Sequence, residues 1–192
     1  MLIEKAATSI ARAWVKNDII ESSLINVYRY GFEISLSSAL GMCLVILTGL
    51  IFFNIWNSIL FLLTFIPIRM YCGGYHADSY LRCNISMLCT FSITALCAHH
   101  IEASIVTIIM MSLIGMIIIA ACCPVENKYK PLDDKQKKKC KIVSLALLGI
   151  AIAICLTLYS FKIDLYKIIL FTIGAVLCLV PIGMIKIEEK HT

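Results

Sequence analysis

Six apolar runs, at roughly 34–53, 55–70, 82–98, 102–121, 142–160 and 165–185, leave this chain little choice of fold. A helix needs about 20 apolar residues at 1.5 Å each to cross a hydrocarbon core of ~30 Å. Inside a bilayer it satisfies its own backbone hydrogen bonds, which an open strand cannot do. With 60% hydrophobic residues in 192, the chain carries far more apolar side chain than a soluble domain of this size can bury. The expected class is therefore an all-α integral membrane protein of six transmembrane helices. No soluble domain, repeat or low-complexity segment interrupts the series, so residues 34–192 are expected to form one membrane domain. The second and third runs are marginal. Their clean apolar cores, Ile55 to Ile68 and Ile85 to Ala98, hold only fourteen residues each, so both must borrow polar flanks.

Residues 1–33 do not have the layout of a signal peptide, in which a short basic start is followed at once by an apolar core. Charges recur instead at Glu4, Lys5, Arg12, Lys16, Asp18, Glu21 and Arg29. Ile3, Ala6, Ala7, Ile10 and Trp14, and then Ile20, Leu24 and Val27, follow helical spacing. The region reads as an amphipathic helix, or a pair, lying along the cytoplasmic interface with Trp14 as an anchor. A face for docking a substrate is the alternative.

Basic residues set the orientation. Six spans with both termini cytoplasmic place fifteen of the seventeen Lys and Arg inside, leaving Lys162 and Lys167 outside. Were the two short runs re-entrant, the count would fall to thirteen against four. The basic stretch 124–141 is then a cytosolic loop whose KQKKK run anchors on anionic lipid. His99, His100 and Glu102 fall in a loop at the opposite face. Nucleic-acid binding is excluded, because no basic face is interleaved with aromatics or built on a reading helix. Pro181 is expected to kink the last helix. Ser37 and Gly41 form a small-residue pair that suits close packing within the bundle, or a homodimer seam.

Of the ten Cys, Cys43, Cys89, Cys97, Cys122, Cys123, Cys155 and Cys178 lie in or beside apolar runs and read as small buried hydrophobes. Cys72, Cys83 and Cys140 fall on the expected cytosolic side, where thiols stay reduced. No structural disulfide is expected.

Between the second and third runs lies a polar island, Arg69 to Cys83, reading RMYCGGYHADSYLRC. Ionisable residues at a membrane edge are functional candidates by default. Three readings compete. The island can be a solvated loop turned by Gly73-Gly74, or a zinc site from Cys72, His76 and Cys83, although it has no CxxC pair and no fourth ligand. It can also carry nucleophilic chemistry, with His76 as base and a cysteine as attacking group. Cys72 and Cys83 are then rival nucleophiles. On one continuous helix His76 and Cys83 would stand about 10.5 Å apart, so the chain must bend between them; Gly73-Gly74 can supply a turn, and the next helix is expected to begin near Ser79. Arg69 and Arg82 can stabilise a thiolate or hold a substrate carboxylate, and Arg69 can equally snorkel as a helix-end anchor. Asp78, Ser79 and Asn84 are candidates for orienting His76.

The string CGGYHADSYLRC, with Arg69 ahead of it, resembles the core of the accessory gene regulator B family, and the likeness extends to PVENKYKPL at Pro124–Leu132 and to the order of apolar segments. Those proteins are membrane-embedded cysteine endopeptidases that process precursors of cyclic autoinducing peptides. The resemblance implies His76 and Cys83 as the catalytic pair, with Arg69 and Gly74 as further sensitive positions. It also implies a precursor peptide of the AgrD type as partner, no cofactor and no metal, and a thiolactone or lactone product. The reading held against it is a small transporter, or an ion- or metal-binding bundle, which would need polar residues near mid-membrane in several helices.

Overall fold

The computed structural model describes residues 2–73, 79–125 and 133–189, all helix, turn or coil. The helices are α1 (Leu2–Lys16), α2 (Ile25–Phe52), α3 (Ile55–Cys72), α4 (Tyr80–His100), α5 (Ile105–Cys122), α6 (Asp134–Ser160) and α7 (Tyr166–Glu189), with a 3-10 turn at Ser22–Leu24 before α2. Helices α2 to α6 are long and apolar enough to cross a membrane, and the apolar part of α7, Tyr166–Ile182, is shorter. The chain is a multi-pass, all-α membrane protein.

Polar caps start these helices. Asn54, Ser79 and Ser104 accept from the backbone N–H of Trp56, Arg82 and Thr107, and Asp133 forms a reciprocal box with Gln136. The last of these corrects the expected loop 124–141. From Asp134 onward the KQKKK run is the first two turns of α6, because the capping box extends the helix beyond its apolar portion. His99 and His100 are likewise not in a loop but are the last residues of α4. Helix α2 begins at Ile25, so residues 25–33 share one helix with the first span. At 28 residues α2 is about 42 Å long, more than a hydrocarbon core needs.

Helix α1 packs on the projecting start of α2. Ala7 and Ala11 are fully buried, and their small side chains allow the close approach. Trp14 stands edge-on to Phe32 with ring centroids 4.9 Å apart, and 6.2 Å from Tyr28. The expected apolar face is thereby rotated, with Ala6 left exposed and Ala11 taking its place.

Helix α7 is the centre of the bundle, packed by α3, α4, α5 and α6. Tyr166, Lys167, Ile168, Ile169 and Leu170 are buried in succession, and Ile173, Val176, Leu177 and Val180 continue the core. Only a helix covered on all sides buries five consecutive residues. Helix α5 is the opposite case, exposing Val106, Ile109, Met110, Leu113 and Ile117, a surface suited to acyl chains. Cys43, Cys89 and Cys178 are also exposed, contrary to the expected burial, because an apolar thiol is as comfortable facing lipid as facing protein. Helices α2 and α4 run parallel along a seam of small residues. Ser37, Gly41, Val45 and Gly49 are buried on α2 at a spacing of four; Ser37 and Gly41 meet α4, whereas Val45 and Gly49 meet Ser58 of α3, so the expected Ser37–Gly41 pair serves packing within the chain.

Candidate functional site

The end of the bundle that carries the polar island is assembled from the close of α3, the start of α4 and the close of α5. Arg69 lies in the last turn of α3, half-buried, with its guanidinium carbon 5.3 Å from the centroid of the Phe65 ring, a cation–π arrangement. It stands within Coulombic range of Cys83.

Helix α3 ends at Gly73, whose φ of 73° lies in the left-handed region, where a residue with a Cβ is strained. Its N–H donates to the Arg69 carbonyl at 3.0 Å. A Cβ here would also meet the Val125 carbonyl oxygen at 2.6 Å. The neighbouring Cys72 carbonyl accepts from the Val125 N–H at 2.9 Å, so the strand of chain leaving α5 is latched to the end of α3. Of the expected Gly73-Gly74 turn, Gly73 ends α3 with a positive φ and Gly74 lies outside the described residues; the close approach of Val125 was not visible in the sequence.

The two rival thiols occupy different surroundings. Cys72 is fully buried, hydrogen-bonded through its sulfur to the Cys123 thiol. That bond, together with burial, pushes the Cys123 thiol far above the ordinary cysteine range. Ser144 is the other neighbour of the Cys72 sulfur, and its buried hydroxyl finds no hydrogen-bond partner of good geometry among the described residues.

Cys83 is half-buried in the first turn of α4. Ser79 caps this helix as expected, its carbonyl accepting from the Cys83 N–H at 3.1 Å. Sequence reasoning could not see how α4 is held. Tyr80 Oη donates to Glu33 Oε2 at 3.1 Å, and Asn84 Nδ2 donates to Ser37 Oγ in a long bond of 3.4 Å. Asn84, offered above as a partner for the base, is buried and engaged with α2. Arg82 is exposed. His76, Gly74 and Asp78 lie outside the described residues, and with them the zinc reading of Cys72, His76 and Cys83.

At the other end of the bundle, Lys167 donates to Glu102 Oε1 at 2.7 Å and pairs with Asp164 at 3.4 Å. Tyr166 Oη donates to the Ala103 carbonyl at 2.7 Å. Glu102, read as an interfacial loop residue, is thus an ion-pair partner of the central helix.

A family model described as Accessory gene regulator B matches residues 4–181. The accessory gene regulator protein B of Staphylococcus epidermidis is 29% identical over 144 residues, covering 74% of this chain and 73% of that protein. The protein of the same name from Staphylococcus carnosus is 21% identical over 174 residues, 91% of each chain. An AgrB-like protein of Clostridium perfringens is 28% identical over 153 residues, 76% of this chain and 67% of that one. No solved structure matches this chain.

Proposed function

The chain belongs to the accessory gene regulator B family, and from that premise we propose that it is a membrane-embedded cysteine endopeptidase that processes a quorum-sensing precursor peptide. The observation that carries the reading is the placement of Cys83. It is half-buried at a helix start on the bundle edge, with the Arg69 charge within Coulombic range and His76 in the segment just before it. Cys72, buried against Cys123 beneath the Val125 latch, has no comparable access to a substrate.

In this mechanism the Cys83 sulfur attacks a peptide carbonyl carbon, and His76 takes the thiol proton. The carbon–nitrogen bond then breaks, His76 returns the proton to the departing amine, and an acyl-enzyme thioester remains. A thiol or hydroxyl within the retained peptide attacks the same carbonyl and expels the Cys83 sulfur, which recovers the proton, closing a thiolactone or lactone ring. Exchange between thioesters is nearly balanced in free energy, so a thiolactone needs no nucleotide, only a positioned thiol and exclusion of water. Arg69 supplies a positive charge within electrostatic range of the sulfur. Gly74 is a further position at which substitution is expected to impair processing, as the family resemblance implies.

The distribution of basic residues supports an orientation with the catalytic segment and both termini on the cytoplasmic side of the cell membrane, where in this reading a precursor of the AgrD type meets the enzyme. The transporter reading gains nothing from three of the buried hydroxyls. Thr94 and Thr172 turn their hydroxyls back to carbonyls of their own helices, and Ser58 bonds the Val45 carbonyl.

The test is purified protein in lipid, given precursor and no nucleotide. The expected product is a peptide lighter by one water than the linear hydrolysed fragment, and replacing the ring-forming residue of the precursor with Ala stops its formation. Only linear acid from intact precursor would reduce the chain to a simple membrane protease; no cleavage at all would overturn the reading.

A further inference from the structure

Tyr80, Asn84 and Met87 lie at i, i+4 and i+7 on one face of α4, and each meets α2. Tyr80 Oη donates to Glu33 Oε2 at 3.1 Å and Asn84 Nδ2 to Ser37 Oγ at 3.4 Å. At Gly41 a Cβ would stand only 2.6 Å from Met87 Cε and 2.8 Å from Asn84 Oδ1. Glu33, Ser37 and Gly41 are themselves spaced by four, so the two parallel helices are matched residue for residue. The Glu33 side chain is only 14% exposed and is held from the other side by Arg29 Nε at 3.6 Å. A carboxylate braced by a cation on its own helix and accepting from a phenol on the next is a fixed point, not a solvated surface charge.

Cys83 sits three residues after Tyr80 and one before Asn84, about 60° and 100° around the helix from them. The seam therefore holds the helix at the level of the sulfur while leaving the sulfur itself off the seam. A slip of α4 by one residue along α2 would move Cys83 by about 1.5 Å, and an error near 1 Å in a reacting group can cost on the order of a hundredfold in rate.

We propose that Glu33, with Ser37 and Gly41, is a positioning element that sets the height of Cys83 through Tyr80, Asn84 and Met87. This rests on the reading of Cys83 as nucleophile. Glu33 acts as a hydrogen-bond acceptor for Tyr80, and its charge toward substrate plays no part.

The experiment uses the full chain in lipid with its precursor peptide, reading kcat and KM separately, and the rate of Cys83 alkylation by iodoacetamide at the peptide level. Glu33→Ala and Tyr80→Phe are each expected to lower kcat about tenfold with KM within about twofold, and the double variant to be no worse than either, since both remove one contact. Glu33→Gln, whose amide oxygen still accepts from Tyr80, is expected to restore most of kcat. Gly41→Ala should give the largest fall, with Cys83 alkylated at an altered rate. Ser58→Ala, which removes a buried hydroxyl between α2 and α3, should lower thermal stability while leaving kcat alone. Wild-type kcat in Glu33→Ala and Tyr80→Phe would overturn the proposal, as would additive losses in the double variant or a Glu33→Gln as damaged as Glu33→Ala. The two readings fail separately. Full activity in Cys83→Ala removes the nucleophile assignment, whereas a dead Cys83→Ala beside seam variants of normal kcat removes the positioning role alone.

Discussion

The two ends of this bundle are built by different means. At the far end a buried lysine on the central helix gathers Glu102 and Asp164, and Tyr166 ties the same helix to the Ala103 carbonyl. The contacts are charge-assisted or short, and all converge on the start of α7. The end that carries Cys83 is built otherwise. That end is held by a backbone latch, Val125 to Cys72, by a left-handed Gly73, and by the seam from Glu33 to Tyr80. One end is thus a staple for the fold, and the other is a frame that leaves a thiol at its edge. Damage at the first should lower stability without changing turnover; damage at the second should lower turnover, whatever it also costs in stability.

The largest effect that sharpens this contrast is at the thiols. Cys83→Ala and His76→Ala are each expected to abolish peptide processing while the protein still inserts and accumulates, and Cys72→Ala to keep substantial activity, measured by product mass spectrometry against protein level. A dead Cys72→Ala beside an active Cys83→Ala would reverse the assignment.

Next comes Gly73→Ala. A φ of 73° with ψ of −151° is a backbone conformation essentially confined to glycine, costing other residues on the order of 1–3 kcal/mol, and the collision with the Val125 carbonyl adds to it. The last turn of α3 should shift and activity should fall at least tenfold, by the ångström-scale tolerance of reacting groups, with the far-end contacts intact. Normal turnover in Gly73→Ala would show that the latch is not part of the frame.

Lys167→Met tests the staple. Removing one partner of a fully buried pair costs roughly 3–5 kcal/mol, but Glu102 and Asp164 are largely exposed, so solvent screening reduces the expected loss to about 1–2 kcal/mol. Thermal unfolding in detergent should shift down while kcat per folded molecule stays unchanged. A fall in kcat would mean that the two ends are coupled through α7.

The smallest effect is expected at Ser144→Ala. Its hydroxyl is buried without a good partner among the described residues, so removing it should change stability by less than about 0.5 kcal/mol, or raise it slightly. A marked loss would show that the contact with the Cys72 sulfur matters to the latch.

Much of this was legible from residues alone, for stated reasons. The apolar run at 55–70 became Ile55–Cys72, and the run beginning at 142 became a helix that starts eight residues earlier at Asp134. Hydropathy marks where a helix meets lipid, whereas its end is set by a cap, here the Asp133–Gln136 box. Ser79 was readable as the start of α4 because a serine before a helical run is a local signal. The Gly73 turn was readable in the same way, but not the Val125 carbonyl against it, since a contact across fifty residues leaves no trace in either neighbourhood.

By itself, then, the sequence determined the class of the molecule, the number of its apolar segments, the polar island between two of them and the family resemblance that distinguishes Cys83 from Cys72. Only the tertiary structure decided that α7 is enclosed while α5 faces outward, that Lys167 is a buried staple, and that Glu33 reaches Tyr80 forty-seven positions away. Lipid tails and a protein core are equally apolar, so hydropathy cannot say which face of a membrane helix meets which. That choice is made by side-chain fit between helices, as when Gly41 leaves room for Met87 and Asn84.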